Sequence, residues 1–164
     1  MANKNKKVST TKKTNAKKPT NVLVALADDK YGSIVADFVV NYHWPENTRL
    51  RLLYVLEEHA IRNVLRFSPQ LAEQIVENDE EYGEELLERC KKRLQKSLPD
   101  IKIETYLVRG SAKDEILSNA KNMKANMIVM GSHGRTGVTS VLLGSVSMSV
   151  ASHAHCSVVI VRSS

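Results

Sequence analysis

Three glycines and a serine are the residues whose types and spacing could do chemistry in this chain. The pattern Gly131-x2-Gly134-x9-Gly144-Ser145 follows an apolar run, Met127 to Met130, and opens a second apolar segment of helix length. Strand, glycine loop and helix start together make a geometry for holding phosphate. Backbone N–H groups can approach an anion closely where no Cβ intrudes. The orphan N–H groups of a helix beginning near Ser145 add partial positive charge. Glycines also mark ordinary loops, so this reading depends on the elements around them.

Bond-making chemistry finds little support. There is no G-x-x-x-x-G-K-[ST] loop, and so no lysine placed to grip β- and γ-phosphates. No acid and base stand at useful spacing. His153-Ala154-His155-Cys156 has metal-ligand residue types but no fourth ligand nearby. It reads better as a helix end bearing histidines, followed by the buried start of the last strand. The acidic stretch Glu77-Asn78-Asp79-Glu80-Glu81 lacks the spaced ligands and glycine of a calcium loop, and reads as a solvated helix face. No catalytic residue and no metal site is assigned.

The elements that must position the loop follow from hydrophobic pattern. Val22 to Ala27 is a continuous apolar run, expected for a strand buried on both faces. Ala27 to Ser33 reads as a polar turn, and apolar spacing at Ile34, Val35, Phe38, Val39 and Tyr42 predicts a helix over 33–43, ending before Pro45. Leu50 to Leu56 is a second strand. Residues 57–98 are helical by pattern with a break near Phe67-Ser68-Pro69, and Leu86, Leu87, Cys90, Leu94 and Leu98 form a buried stripe. Ile101 to Val108 alternates as a half-exposed edge strand. A helix over 112–123 follows, with Ser111 near its start as a capping signal. Met127 to Met130 is the fourth strand, 144–153 a helix, and Ser157 to Val161 the last strand. The order β-α-β-α-β-α-β-α-β implies a doubly wound parallel sheet, which binds ligands beyond the carboxyl ends of its strands. The exits of the first strand (Ala27 to Asp29) and the fourth (Gly131) are the natural pair.

Bulk properties exclude several classes. The 164 residues suit one domain, and the formal charge of +6 is misleading. Residues 1–20 carry seven lysines with no acid or arginine, and removing those seven from +6 leaves −1 for residues 21–164. The tail is too polar to offset its ordering entropy, so disorder is expected. It reads as a solubilising extension or as a non-specific anchor for nucleic acid or anionic surfaces. No apolar run approaches a membrane span. Val22 to Ala27 after lysines mimics a secretory signal, but six apolar residues are too few and the run reads as a strand. Cys90 and Cys156, far apart in sequence, suit reduced thiols in a cytoplasmic protein.

Over nearly all of residues 21–164 the chain resembles the universal stress protein family. The resemblance is carried by Ile128-Val129-Met130-Gly131-Ser132-His133-Gly134-Arg135, then Leu143-Gly144-Ser145-Val146. Leu52-Leu53-Tyr54-Val55, Gly110 and Cys156 to Val161 also match. The glycine motif is that of the family's ATP-binding branch. The resemblance implies an α/β fold of the adenine nucleotide alpha hydrolase-like kind, a five-stranded parallel sheet in the order 3-2-1-4-5 with helices on both faces. It implies ATP, ADP or AMP as ligand, with Mg2+ as companion ion. Gly131, Gly134, Gly144 and Ser145 would meet ribose and phosphates, with Val146 beside them in the nucleotide site; Ser132, His133 and Arg135 share the loop, Arg135 adding charge near the phosphates, and the Val55 backbone would contact adenine. His133 would donate to phosphate or cap the loop. It further implies a homodimer through Val158 to Val161 and a role in stress sensing or regulation rather than catalysis. One departure stands out: the family's aspartate after the first strand falls on Ala27. Either Asp28 takes over that contact or the contact is lost. The alternatives are an interaction protein without nucleotide, or a slow ATPase.

Overall fold

The computed structural model describes residues 18–57, 64–132 and 143–162. Most of the Lys-rich tail, through residue 17, and His133, Gly134 and Arg135 lie outside the described residues. The element order is β1 (Asn21–Leu26), α1 (Asp29–Asn41), β2 (Arg49–Glu57), α2 (Pro69–Ser97), β3 (Lys102–Gly110), α3 (Ala112–Asn122), β4 (Met127–Gly131), α4 (Ser145–His153) and β5 (Ser157–Val161). Residues 64–67 add a helical turn before α2. All four strand pairings are parallel and the sheet order is β3-β2-β1-β4-β5, as expected. No helix among the described residues is long and apolar enough to cross a membrane.

Successive side chains of a strand point to opposite faces, and both faces here are apolar. Val22, Val24, Leu26, Leu50, Leu52, Tyr54 and Val129 face one way, against α1 and α2. Leu23, Leu53, Val55, Ile128 and Met130 face the other, against α3 and α4. This explains the unbroken apolar runs of β1 and β4. β3 is an edge strand, and its Tyr106 stays exposed with the Arg51 guanidinium stacked 3.9 Å from the ring centroid.

Three local expectations need correction. α1 begins at Asp29, four residues earlier than its apolar spacing predicts. Asp28 is its N-cap, and the Asp28 carboxylate accepts the Tyr31 N–H at 2.8 Å. That contact turns the expected polar turn into the first helical turn. The acidic stretch in α2 is not simply a solvated face: Asp79 accepts from the Tyr54 hydroxyl at 2.8 Å, and Glu80 accepts from Arg109 at 2.6 Å. These contacts dock α2 onto β2 and β3. Finally, Ser111 occupies the N-cap position of α3, but its side chain makes no capping bond.

Gly83 is what lets the 29-residue α2 lie close to the sheet. A Cβ there would fall 2.5 Å from the Tyr54 ring. Tyr54 is fully buried and its hydroxyl is tied to Asp79, so the ring has no room to retreat. Tyr82 packs edge-on to Tyr54, and its hydroxyl accepts the Asp29 N–H at 3.0 Å. Burial pushes that hydroxyl above the ordinary phenol value. Arg89 and Arg93 of α2 pair with Asp29 and Asp37 of α1. Side chains of α2 thereby brace the start of α1.

Gly83→Ala should destabilise the protein by about 1–3 kcal/mol in urea titration, although helix propensity alone favours alanine by about 1 kcal/mol. In a Tyr54→Leu background the same change should be neutral or stabilising; a loss in both backgrounds would show that the ring is not the obstacle. Cys90 gives a second test. Burial pushes its thiol up to about 11 from an ordinary 9.0. The unfolded thiol ionises first as pH rises, so this contribution to stability is complete below about 9 and is lost towards about 11. Native protein should resist iodoacetamide at Cys90 at pH 8.5 and react there only after denaturation, read by peptide mass.

Candidate functional site

A cleft of about 380 Å³ opens where the carboxyl ends of β1 and β4 part. That volume falls in the small-molecule range of roughly 300–1,000 Å³. Its apolar walls come from β1 (Ala25, Leu26), β2 (Leu53, Val55), α3 (Ile116) and β4 (Met130). Ala27, Tyr31 and Gly32 form the rim on the α1 side, while Gly131, Gly144 and Ser145 to Ser147 form the opposite side. No lysine, arginine or histidine lines it among the described residues, and Glu57 is the one charged side chain that does.

Hydrogen bonds hold the glycine loop shut at its base. The Ser132 N–H donates to the Val161 carbonyl at 2.8 Å, tying the end of β4 to the end of β5. The Ser132 carbonyl accepts the Gly144 N–H at 2.9 Å and the Ser147 hydroxyl at 3.0 Å. The same hydroxyl lies 2.9 Å from the Gly144 carbonyl. Ser132 and Gly144 therefore meet directly across the loop between them, and α4 starts at a fixed point on the cleft wall.

The helix ends around the sheet differ in how their N–H groups are answered. Asp28 caps α1, with Asp29 in its first turn, and Ser68 caps α2. At α3 the Glu57 carboxylate accepts the Ala112 N–H at 3.1 Å, and Asp114 and Glu115 sit in the first turn. At α4 the N-cap is Gly144, no side chain among the described residues caps it, and the first turn holds no acid. The N–H groups of Ser145, Val146 and Ser147 thus start an uncapped, nine-residue helix at the cleft. Such an end attracts anions through its free donors and its partial positive charge.

The structure places the expected site residues unequally. Ala27, Val55, Gly131, Gly144, Ser145 and Val146 line the cleft together. Asp28 does not: its carboxylate is committed to the start of α1. Ser132 is buried and forms the loop's base rather than the cleft surface. His133, Gly134 and Arg135 lie outside the described residues. Sequence reasoning missed Tyr31, Glu57 and Ser147. Ser147 stands three residues after Gly144, a spacing that could have marked it. Glu57 and Tyr31 reach the cleft only through the pairing of β2 with β3 and the early start of α1.

Gly131 has a second role. A Cβ there would lie 3.0 Å from the Tyr31 Cβ and 3.2 Å from its ring. The missing side chain lets α1 close against the end of β4, independently of any ligand.

Comparison with known proteins gives one consistent result. A family model described as the Universal stress protein family matches residues 19–162. Universal stress protein MJ0531 of Methanocaldococcus jannaschii is 40% identical over 82 residues, half of this chain; the match spans 47% of that relative's own length. Universal stress protein MJ0577 of the same organism is 31% identical over 121 residues, covering 68% of this chain and 75% of the relative. The solved structure of MJ0577 superposes with a TM-score of 0.73 at 26% identity, over 88% of this chain and 96% of the other. An Arabidopsis thaliana family protein solved with AMP bound superposes with a TM-score of 0.60 at 19% identity, over 89% and 93% of the two chains.

Two substitutions separate packing from binding. Gly131→Ala should lower stability by about 1–3 kcal/mol in urea titration with no ligand present. Ser147→Ala should cost about 1 kcal/mol by removing the hydroxyl at the loop's base. A Gly131→Ala protein as stable as the wild type would remove the packing role assigned to that glycine.

Proposed function

The chain belongs to the universal stress protein family, and from that premise we propose that it binds an adenine nucleotide in the cleft between β1 and β4. The observation that carries this reading is the uncapped start of α4, set beside Gly131 and Gly144 at the mouth of an apolar cleft. The apolar walls suit a flat base, and the N–H groups of Ser145 to Ser147, which no side chain caps among the described residues, suit its phosphates. The AMP-bound relative supports adenine as the base through fold alone. ATP, ADP and AMP all fit this chemistry, with Mg2+ accompanying the longer phosphate chains.

The protein acts in this reading as a nucleotide-responsive regulator in the stress response, not as an enzyme. The described cleft offers no cationic side chain to stabilise a leaving phosphate and no acid–base pair. The proposal includes a cytoplasmic protein that dimerises along β5. That strand lies at the sheet edge with Val158 to Val161 only partly buried, and pairing with a second copy would cover it.

One observation favours a second reading, an interaction protein that no longer takes nucleotide. Ala27 carries no polar group to the cleft, and Asp28 is engaged at the start of α1. Isothermal titration with ATP and AMP separates the two. Binding at micromolar to millimolar concentration is expected, and no heat at millimolar nucleotide would leave the second reading standing. Ser145→Asp should weaken ATP binding at least tenfold by placing a fixed negative charge where phosphate sits. It should leave the melting temperature unchanged or slightly raised, since an acid in a first turn stabilises a helix by about 0.3–1 kcal/mol.

A further inference from the structure

We propose that Glu57 reads the base of the bound nucleotide, accepting a hydrogen bond from an exocyclic amine and so selecting adenine-type bases. This rests on the nucleotide reading above and adds a direction and a selectivity to it.

Glu57 ends β2, paired in register with Gly110 at the end of β3. Gly110 has φ +154°, a conformation that favours glycine, and leads through Ser111 to the start of α3. This turn brings the Ala112 N–H to Oε1 of Glu57 at 3.1 Å. One carboxylate oxygen is thereby anchored. The other, Oε2, makes no hydrogen bond among the described residues, on a side chain that lines the cleft. An ionised carboxylate only accepts hydrogen bonds. A ligand group resting against it must therefore be a donor.

The cleft is polar at two separated places. The α4 start and Gly131 lie on the β4 side, and Glu57 on the β2 side, with β1 between them. Two steps across a sheet are about 9.5 Å. A phosphate held at α4 is favoured by the helix end, while the same phosphate against Glu57 would meet a like charge. The ligand thus enters in one direction. Its ribose is bonded to the phosphate and stays near α4, so the base is the part that spans the apolar stretch over Val55 and Met130 and reaches Glu57. An amine on the base edge supplies a donor to Oε2, which has none among the described residues.

The test compares ATP with purine riboside 5′-triphosphate, which is ATP without the exocyclic amine, by isothermal titration. Wild-type protein should bind ATP about tenfold or more tightly than the amine-free ligand, the range for a hydrogen bond to a charged group. Glu57→Gln keeps one acceptor oxygen for the Ala112 N–H but has none left for the amine. It should keep the wild-type melting temperature, lose ATP affinity, and bind the two ligands within about twofold of each other. Equal binding of both ligands by the wild type overturns this inference alone, as does a wild-type preference retained in Glu57→Gln. Binding of neither ligand by the wild type overturns the nucleotide reading and this inference with it.

Discussion

β1 hydrogen-bonds to β2 along one side and to β4 along the other, and the direction in which the chain builds the sheet reverses at that seam. From β1 the chain steps to β2 and then β3; it then crosses back to β4 and moves on to β5. Parallel crossovers are right-handed almost without exception. Steps in one direction therefore lay α1 and α2 on one face, and steps in the other lay α3 and α4 on the opposite face. α1, which follows β1, and α4, which follows β4, pack on opposite faces, and the cleft opens between their starts among the described residues. The cleft is a consequence of strand order, and its walls are the last residues of strands whose earlier residues build the core.

The aromatic side chains near the seam demand space that glycines provide. Tyr54 stands upright from the middle of the sheet and passes beside Gly83 of α2, where any Cβ would collide with its ring. Tyr31 lies across the end of β4 in the same manner, with Gly131 beneath it. Each contact joins a helix to a strand at closer range than an alanine would allow. The face that carries α1 and α2 is therefore not independent of the cleft: α2 braces α1 through Tyr82, Arg89 and Asp29, and α1 forms one rim of the site.

Much of this was legible in sequence, and the division follows from how far each signal reaches. β1 and β4 were readable because burial on both faces leaves continuous apolar runs, and β5 because its run is unbroken and β-branched, both local signals. The break at Pro69 and the glycines at 131 and 144 were readable for the same reason. The start of α1 was not, because Asp28-Asp29 suits a turn as well as a cap; only the Tyr31 N–H decides between them. Asp79 and Glu80 looked like a solvated face because their partners, Tyr54 and Arg109, come from other strands. Glu57 gave no signal at all: its place in the cleft arises from strand register and from a helix that starts 55 residues later.

The unequal treatment of helix ends decides where charge can sit. A capping Ser, Asp or Asn stabilises a helix by about 1 kcal/mol relative to alanine, whereas a glycine cap brings no side-chain oxygen. Among the described residues no side chain answers the donors of α4, while the other helix starts named above each have a side-chain acceptor. Glu57 and the first-turn acids already answer the α3 end, which also borders the cleft. Two helices thus point their starts into one cleft, and only one still attracts an anion there. An apolar cavity alone would accept a flat ligand in either direction. Neutralising one helix end and leaving the other open gives the cavity a polarity, without any cationic side chain among the described lining residues. Such a site can hold and orient a phosphate with backbone alone, and hold it more loosely than a lysine or arginine would.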